Sequence, residues 1–251
     1  GNLFPVVAER SIMSFLFRMA LVATLLSSPL VIIALAQDEA EKPKLSFAFK
    51  ALAFSRVPGL DEIFHGEDEE KEGLRLPTRN FSPQAKYEGT NPVTFYGQKT
   101  NEEGELEYLP VAAVTVQKEW KNALLVFFPT SRQEAIATGR RFHVLAVDGE
   151  LARFRGGGRH FVNVSDKDVS AAIGDQKLLI RAGASVTFAP RVQGGAITRV
   201  PVQIRYRQDD QWHLLSSTRW SLDSRQRTLI FIFKDPLRKR LALRGVSERV
   251  L

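Results

Sequence analysis

Residues 123–128 read Ala-Leu-Leu-Val-Phe-Phe, and residues 229–233 read Leu-Ile-Phe-Ile-Phe. A strand in a sheet with one face in water alternates apolar and polar side chains, but neither run contains a polar position. We therefore expect both to be central strands whose second face is covered by another layer, domain or subunit. Left uncovered, each run would promote aggregation. The two runs predict two packed β units, or one unit with a partner, rather than a simple solvated sandwich.

Short strands with alternating hydrophobicity account for most of the chain around these runs. Turn sequences separate them, as at Gly174-Asp175, Gly194-Gly195 and Asp235-Pro236. The predicted strands are 93–97, 111–117, 122–128, 141–147, 159–164, 168–173, 177–181, 185–189, 197–206, 212–220, 227–233 and 240–245. Many short strands with very little helix indicate an all-β, antiparallel, sandwich-like fold.

The remaining local signals are one short helix, one irregular strand and a turn-rich segment. Ser131-Arg-Gln-Glu134 has the pattern of a capping box, and Gly139 ends the predicted helix within two turns. Apolar residues alternate through Leu45–Phe49 and then continue in the opposite phase from Leu52, which predicts a β-bulge. Residues 77–92 are rich in Pro and Gly and predict turns.

Turn residues and a glycine run coincide at residues 149–158, which predicts the join between two β units. We expect the units to be residues 45–150 and residues 151–251, the second of them rich in arginine. Residues 37–44 are polar and predict a mobile leader ahead of the first strand.

The first 36 residues have the order of a secretory signal peptide. Arg18 precedes an apolar run over residues 19–36, which ends in the small-x-small pattern Ala34-Leu35-Ala36. Cleavage is expected after Ala36, and Met13, the first methionine, is the expected start of translation. The alternative is an uncleaved membrane anchor, because 18 residues is near the lower limit of about 17–25 for a spanning helix.

The chain contains no cysteine, which excludes disulfides, thiol catalysis, thiolate metal sites and lipid attachment through a cysteine. Cleavage would leave 215 residues, enough for one large β domain or two of about 100 residues. An exported protein without disulfides fits a bacterial envelope better than a eukaryotic secretory route. We therefore expect a periplasmic or secreted bacterial protein.

Charge is distributed unevenly between the two halves. Residues 37–110 contain 9 Lys+Arg and 15 Asp+Glu, whereas residues 111–251 contain 24 and 12, a net charge of +12. A field of that size favours an anionic partner. Because the protein is predicted to be exported, we expect this partner to be an anionic envelope polymer, a glycan or a phospholipid head group rather than nucleic acid. The alternative is that the acidic and basic halves neutralise each other.

An arginine- and glycine-rich stretch over residues 153–160 is the most suggestive local motif for binding. Consecutive glycines can turn backbone amides toward an anion, and the flanking guanidinium groups add charge-assisted donors. The motif lacks the spacing of a phosphate-binding loop and precedes a strand, so a flexible hairpin or linker is the alternative. The candidate anion-binding residues are Arg153, Arg155, Gly156, Gly157, Gly158 and Arg159.

No catalytic residue, metal site or cofactor is predicted. Residues 61–70 lie in an expected acidic loop that offers oxygen ligands for calcium, but the alternating EF-hand pattern is absent and a solvated loop is the alternative. The four histidines are scattered, and His143 and His160 lie in predicted strands, where a structural role is expected. The Gly-x-Ser-x-Gly turn of serine hydrolases does not occur.

Two tryptophans in one predicted strand form a second candidate site. In an extended strand Trp212 and Trp220 lie on the same face, where they could form a platform for stacking sugars. The alternative is that both indoles cover core edges while Leu214 fills the space between them.

Two segments carry a resemblance to known proteins. Phe-Val-Asn-Val-Ser-Asp-Lys-Asp-Val at residues 161–169, continuing to Ala-Gly-Ala-Ser at 182–185, resembles the opening hairpins of immunoglobulin-like and periplasmic accessory sandwiches. Residues 212–244, with Ser-Ser-Thr-Arg-Trp and Phe-Lys-Asp-Pro, resemble a recurring block in uncharacterised exported bacterial β-sandwich proteins. The resemblance implies a sandwich and an envelope setting, and it transfers no catalytic residue.

The sequence therefore predicts an exported, non-catalytic interaction or accessory protein of the bacterial envelope. Its expected partner is an anionic envelope polymer or another envelope protein, with possible proximity to the membrane surface. The rival prediction is a carbohydrate-binding module or a glycan-directed enzyme, which would need exposed aromatic side chains or a cleft with paired carboxylates.

Overall fold

Strands dominate the computed structural model, which describes residues 44–250 except 68, 70 and 191–196. The first half contains β1 Leu45–Ala53, β2 Glu62–His65, β3 Glu72–Arg75, β4 Ala85–Gly89, β5 Val93–Thr100, β6 Leu106–Val114, β7 Asn122–Pro129, helix α1 Arg132–Thr138 and β8 Phe142–Asp148. The second half contains β9 Arg159–Asn163, β10 Val169–Ile173, β11 Gln176–Ile180, β12 Ser185–Phe188, β13 Ile197–Gln208, β14 Gln211–Asp223, β15 Gln226–Lys234 and β16 Leu241–Arg249. The all-β prediction is confirmed.

The strands form four sheets of four strands each. Sheet A has the order β4-β1-β7-β8, sheet B β3-β2-β5-β6, sheet C β12-β9-β15-β16 and sheet D β11-β10-β13-β14. The β1–β7 and β9–β15 pairs are parallel, and the other ladders are antiparallel.

The two halves repeat one topology. Adding eight to each strand number converts the order of sheet A into that of sheet C, and the order of sheet B into that of sheet D. The central parallel pair recurs in each half, and so does a register shift in the long outer hairpin, in β5–β6 and again in β13–β14. The described chain is therefore an internal structural duplication, which the sequence did not predict.

Three apolar cores order the sheets as the layers B, A, C and D. One core lies between sheets A and B and contains Phe49, Phe95 and Phe127. A second lies between sheets C and D and contains Phe161 and Ile204. The third lies between sheets A and C and draws residues from both halves. Each half is a sandwich, and the two sandwiches pack through their inner sheets.

This layering explains the two uninterrupted apolar runs. In β7, Leu125 faces the core of the first sandwich, whereas Val126 faces the layer between the sandwiches. In β15, Ile230 faces the core of the second sandwich, whereas Phe231 faces the shared layer. The rings of Phe128 and Phe231 meet there edge to face at 5.8 Å. The prediction that both runs are central strands with two covered faces is confirmed.

Strand β1 corrects one expectation from the sequence. Its ladders with β4 and β7 run without a register shift, so the predicted β-bulge is wrong. The apparent phase change arises because both faces of β1 become buried at its end: Ala51 faces the first core, and Leu52 faces the shared layer.

Short strands in polar and turn-rich segments were also missed. Strands β2 and β3 form a hairpin that begins inside the expected acidic loop and ends beyond it, and β4 lies inside the turn-rich segment. Each has at most five residues, which is too short for a clear alternating pattern. Long-range pairing with β5 and β1 completes these strands.

The helix has the N-terminal serine cap and the C-terminal glycine predicted for it, whereas the Glu134 carboxylate pairs with His143. The Ser131 side chain accepts a hydrogen bond from the Glu134 amide, and Gly139 closes the helix with a φ of 72°. Among the described residues, no helix is long and apolar enough to cross a membrane. The predicted signal peptide, residues 37–43 of the leader and the Gly194-Gly195 turn lie outside the described residues.

Candidate functional site

The three predicted anion-binding arginines have different partners. Arg153 pairs with Asp148, and Arg155 is exposed, with Nη2 at 3.4 Å from the Ala189 carbonyl oxygen. Arg159 is only 8% exposed. The structure therefore does not direct the three guanidinium groups at one point.

The glycine run is a tightly packed turn. The Gly157 amide donates to the Gln226 carbonyl at 2.8 Å, and the Gly158 amide donates to the Arg155 carbonyl at 3.1 Å. A Cβ atom on Gly156 would lie 1.7 Å from the Ser224 carbonyl oxygen. Two of the three amides are thus used within the protein, and Gly156 is required for close backbone approach. This geometry favours the turn over the anion-binding loop.

The acidic segment is partly ordered into the β2–β3 hairpin. Asp61 pairs with Arg56 at 2.7 Å, and the Thr90 amide donates to Glu67. His65 is 2% exposed and contacts the ring of Phe49, and its burial lowers its pKa. Within the described residues, which exclude Asp68 and Glu70, no group of three metal-ligating side chains converges.

The two tryptophans lie on opposite faces of sheet D, so the predicted one-face platform is wrong. Ile204 is opposite Ser216, but Arg205 is opposite Leu214, which leaves Leu215 as an extra residue in β14. A bulge reverses the alternation of side chains along a strand. Trp212 therefore points outward and is 44% exposed.

Trp220 points inward, toward the core of the second sandwich. Its ring stacks on Phe161 at 6.1 Å. The expected filling role of Leu214 is also wrong, because Leu214 follows the outward phase of Trp212 and is 58% exposed. The simple rule of alternation failed because the bulge lies between the two indoles.

The outward face of sheet D collects cations and is here named the basic face. Val202 and Ile204 of β13 are buried in the core, so the alternate residues of that strand point away from it. The register places Arg205 opposite Ser170 on one side and Leu214 on the other, and Arg207 opposite Trp212. The cations of the basic face are Lys177, Arg199, Arg205, Arg207 and Arg219, all exposed.

Acidic groups lie at the ends of the basic face. Asp210, in the tight turn between β13 and β14, pairs with Arg207 at 2.8 Å. Asp223, at the end of β14, pairs with Arg225 at 2.9 Å. Along the described length of the chain, Lys177, Arg199 and Arg219 have no acidic partner within ion-pair distance. The middle of the basic face therefore carries uncompensated positive charge beside an exposed indole.

The sequence indicates that this charge lies in the second half but not which face carries it. A local signal was present in β13, where Arg199, Arg205 and Arg207 occupy positions that point the same way in an extended strand. The contributions of Lys177 and Arg219 depend on the order of strands in the sheet, which the sequence did not predict.

A cleft of about 350 Å³, here named the edge cleft, lies beside the basic face. It opens between the edge strands β14 and β16 of the second sandwich, and it shares Arg219 with the basic face. The lining residues are Arg159, Ser216, Arg219, Trp220, Ser221, Thr228, Ile230, Leu243, Gly245 and Ser247. Its polar lining therefore comes from two arginines and several hydroxyl-bearing residues.

A second cavity, of about 370 Å³, lies between the two sandwiches. Four of its charged residues have partners within the protein: Glu248 accepts from both Lys50 and Arg227, and the Asn122 side-chain amide donates to Glu150 at 2.9 Å. The Lys50–Glu248 pair joins the two halves of the chain. The arrangement is that of a structural ion network.

Neither the protein-family models nor the curated proteins contain a match to this chain. The resemblance of residues 161–185 and 212–244 to exported bacterial sandwich proteins therefore stays a prediction.

Proposed function

We propose that this chain is an exported, non-catalytic binding protein of the bacterial envelope whose basic face contacts an anionic polymer. The observation that carries the proposal is the uncompensated charge of Lys177, Arg199 and Arg219 on one open sheet face. Matching a positive surface to a polyanion accelerates association and stabilises the complex.

The packing of the two halves supports an external partner over internal neutralisation. The sandwiches meet through an apolar layer that contains Leu124, Val126 and Phe231. Sheet D is separated from that layer by sheet C and by the second core. The charges of the basic face consequently point away from the acidic half, so the acidic half does not neutralise them.

The shape of the basic face favours an extended ligand. Small-molecule sites are usually concave. The outward face of sheet D is instead an open surface, on which exposed side chains from neighbouring long strands lie side by side. Trp212 and Leu214 add apolar surface among the cations, and each is more than two-fifths exposed. Such a mixture suits an acidic glycan, whose rings offer apolar faces and whose substituents offer negative charge.

The proposed setting follows from the predicted signal peptide and from the resemblance to exported sandwich proteins. Secretion would bring the basic face into contact with acidic envelope polysaccharides rather than with nucleic acid. A carbohydrate-binding module is the related alternative, and it differs in requiring recognition of individual sugar units.

The proposal can be tested by a pull-down of polygalacturonate with the protein, with neutral dextran as the reference polymer, over a series of salt concentrations. We expect the protein to retain polygalacturonate, and less of it as the salt concentration rises, because exposed charges are screened beyond about 10 Å at 0.1 M salt. The double variant Arg199→Gln/Arg205→Gln should bind more weakly and respond less to salt.

The matched control is Arg132→Gln/Arg140→Gln, which removes the same charge beside helix α1 in the first half. It should retain the binding of the unaltered protein. Equal weakening by both double variants, or retention that is independent of salt, would contradict binding through the basic face.

A further inference from the structure

Arg159 is a buried cation whose described partners are all neutral. Its Nη1 atom donates to the carbonyl oxygens of Gly157 at 3.2 Å and Gly158 at 3.0 Å, and Nη2 donates to the Ser221 carbonyl at 2.9 Å. A guanidinium group has five N–H donors, so two remain beyond these three bonds. No carboxylate lies within ion-pair distance of Arg159 in the described part of the chain.

This charge borders open space rather than a closed core. Arg159 is only 8% exposed, yet it lines the edge cleft together with the exposed Arg219. Burial of a cation without a counter-charge is unfavourable, and here it lowers the pKa of Arg159. An anion in the edge cleft would supply the missing charge and accept the remaining donors.

The other polar groups of the edge cleft are hydroxyls. Thr228 Oγ1 and Ser247 Oγ lie 3.0 Å apart on neighbouring strands, and Ser216 comes from the opposite sheet. Hydroxyl groups both donate and accept, so they match the hydroxyls of a sugar ring. The Trp220 indole also lines the cleft, and it is held by stacking on Phe161 at 6.1 Å.

Gly245 keeps the floor of the edge cleft open. It pairs with Ile230 in the β15–β16 ladder, so its missing side chain would point into the cleft. A Cβ atom there would meet Thr228 Cγ2 at 3.5 Å, an ordinary contact. The backbone therefore tolerates a side chain at this position. The absence of a side chain at Gly245 adds to the open volume of the cleft.

We propose that the edge cleft binds one uronic acid unit of a glycan, with its carboxylate on Arg159 and Arg219. The ring hydroxyls bond to Ser216, Thr228 and Ser247, and the apolar side of the ring contacts Trp220. The cleft volume of about 350 Å³ is at the lower end of the usual range of about 300–1,000 Å³ for ligand pockets, which suits a single sugar unit. This inference rests on the proposed function and names the class of its polymer.

The test is a titration of the protein with glucuronate, in which binding is monitored by the NMR signal of the Trp220 indole and by calorimetry. Glucose, which has the same ring without the carboxylate, is the matched ligand, and glucose 1-phosphate is the second anion. We expect saturable binding of glucuronate with shifts at Trp220 and at least about tenfold weaker binding of glucose, as for loss of a charge-assisted hydrogen bond. Absence of saturable glucuronate binding, or tighter binding of glucose 1-phosphate, would overturn the assignment.

Two variants locate the binding. Gly245→Val should fill the edge cleft and abolish glucuronate binding while preserving the unfolding midpoint, because a Cβ atom at this position meets only Thr228 Cγ2, at an ordinary 3.5 Å. Arg219→Gln should weaken glucuronate binding by about tenfold. Undiminished binding in a folded Gly245→Val protein would place the sugar elsewhere.

The same proteins separate this inference from the proposed function. Arg199→Gln/Arg205→Gln should bind glucuronate as the unaltered protein does, because neither residue lines the edge cleft. If the protein binds the polymer but not glucuronate, the proposed sugar site is wrong and the proposed role of the basic face is retained. If it binds glucuronate but not the polymer, the sugar site is retained and the proposed role of the basic face is wrong.

Discussion

The Nε atom of Arg227 lies 2.6 Å from Oε2 of Glu248, and the two side chains are 5% and 8% exposed. Lys50 of the first sandwich donates to Oε1 of the same carboxylate at 2.6 Å. Arg227 also donates to the carbonyl oxygens of Gly149 and Phe154, in the segment that joins the halves. One buried carboxylate therefore ties both sandwiches and their connection together.

Removal of that carboxylate should destabilise the protein strongly. Glu248→Gln leaves Arg227 buried without a counter-charge, and breaking such a pair typically costs about 3–5 kcal/mol. Urea unfolding followed by circular dichroism would measure the change in the free energy of unfolding. Glu134→Gln, which breaks the exposed Glu134–His143 pair, should cost less than about 1 kcal/mol. Similar losses in the two variants would contradict a structural role for the network.

Acid should destabilise the protein partly through His160. Burial lowers the pKa of His160 to about 4 from its ordinary 6.5, and its Nδ1 lies 2.7 Å from the Thr187 hydroxyl. Between these two values the unfolded chain binds a proton that the folded protein does not, so stability falls as pH falls through this window. His160→Asn keeps a polar partner for Thr187 but cannot titrate.

The measurement is the free energy of unfolding at intervals from pH 7 to pH 4. The decline should be shallower in His160→Asn than in the unaltered protein, without vanishing, because burial also lowers the pKa of His65. An unchanged slope would show that His160 titrates alike in the folded and unfolded states.

The bulge between the two indoles predicts different behaviour for each. Trp212→Phe should leave stability almost unchanged and remove the tryptophan emission that acrylamide quenches most readily, because Trp212 is 44% exposed. Trp220→Ala should lower the free energy of unfolding by about 3 kcal/mol, at the low end for loss of a packed aromatic ring. Equal quenching of both indoles would contradict their placement on opposite faces.

The glycine turn predicts that one added methyl group at Gly156 destabilises the protein more than one at an open turn elsewhere. Gly156→Ala would bring Cβ to within 1.7 Å of the Ser224 carbonyl oxygen, so the backbone must move, at a cost of about 3 kcal/mol or more. Gly183→Ala meets no atom within 4 Å and has a φ of 72°, so it should cost about 1–2 kcal/mol. Thermal unfolding compares the two. A harmless Gly156→Ala would show that the turn is loose.

The fold could be predicted in class but not in arrangement. Alternation and turn residues located the longer strands because those signals are local, and the apolar runs showed that β7 and β15 needed two covered faces. The short strands β2, β3 and β4 could not be predicted because their patterns are brief and their partners are distant in sequence. The duplication could not be predicted because the strand order is repeated without visible repetition of residues.

The candidate site could be predicted only in its charge. The +12 of residues 111–251 pointed to an anionic partner, but the suggested glycine loop is a packing turn. Trp220 belongs to a cleft rather than to a platform with Trp212. The motif around Arg159 predicted an anion ligand, and the structure places Arg159 in a cleft that Arg219 also lines, which requires residues 60 positions apart in the sequence to lie near each other.

The amino-acid sequence by itself determined the all-β class, the two central strands, the capped helix and the uneven charge. These depend on side-chain periodicity and composition, which act over a few residues. Only the tertiary structure decided the four-layer order, the face that carries the free arginines and the cleft beside it. Those features depend on which strands pair and on a one-residue bulge that reverses the faces of β14, and pairing between distant strands is a property of the packed chain.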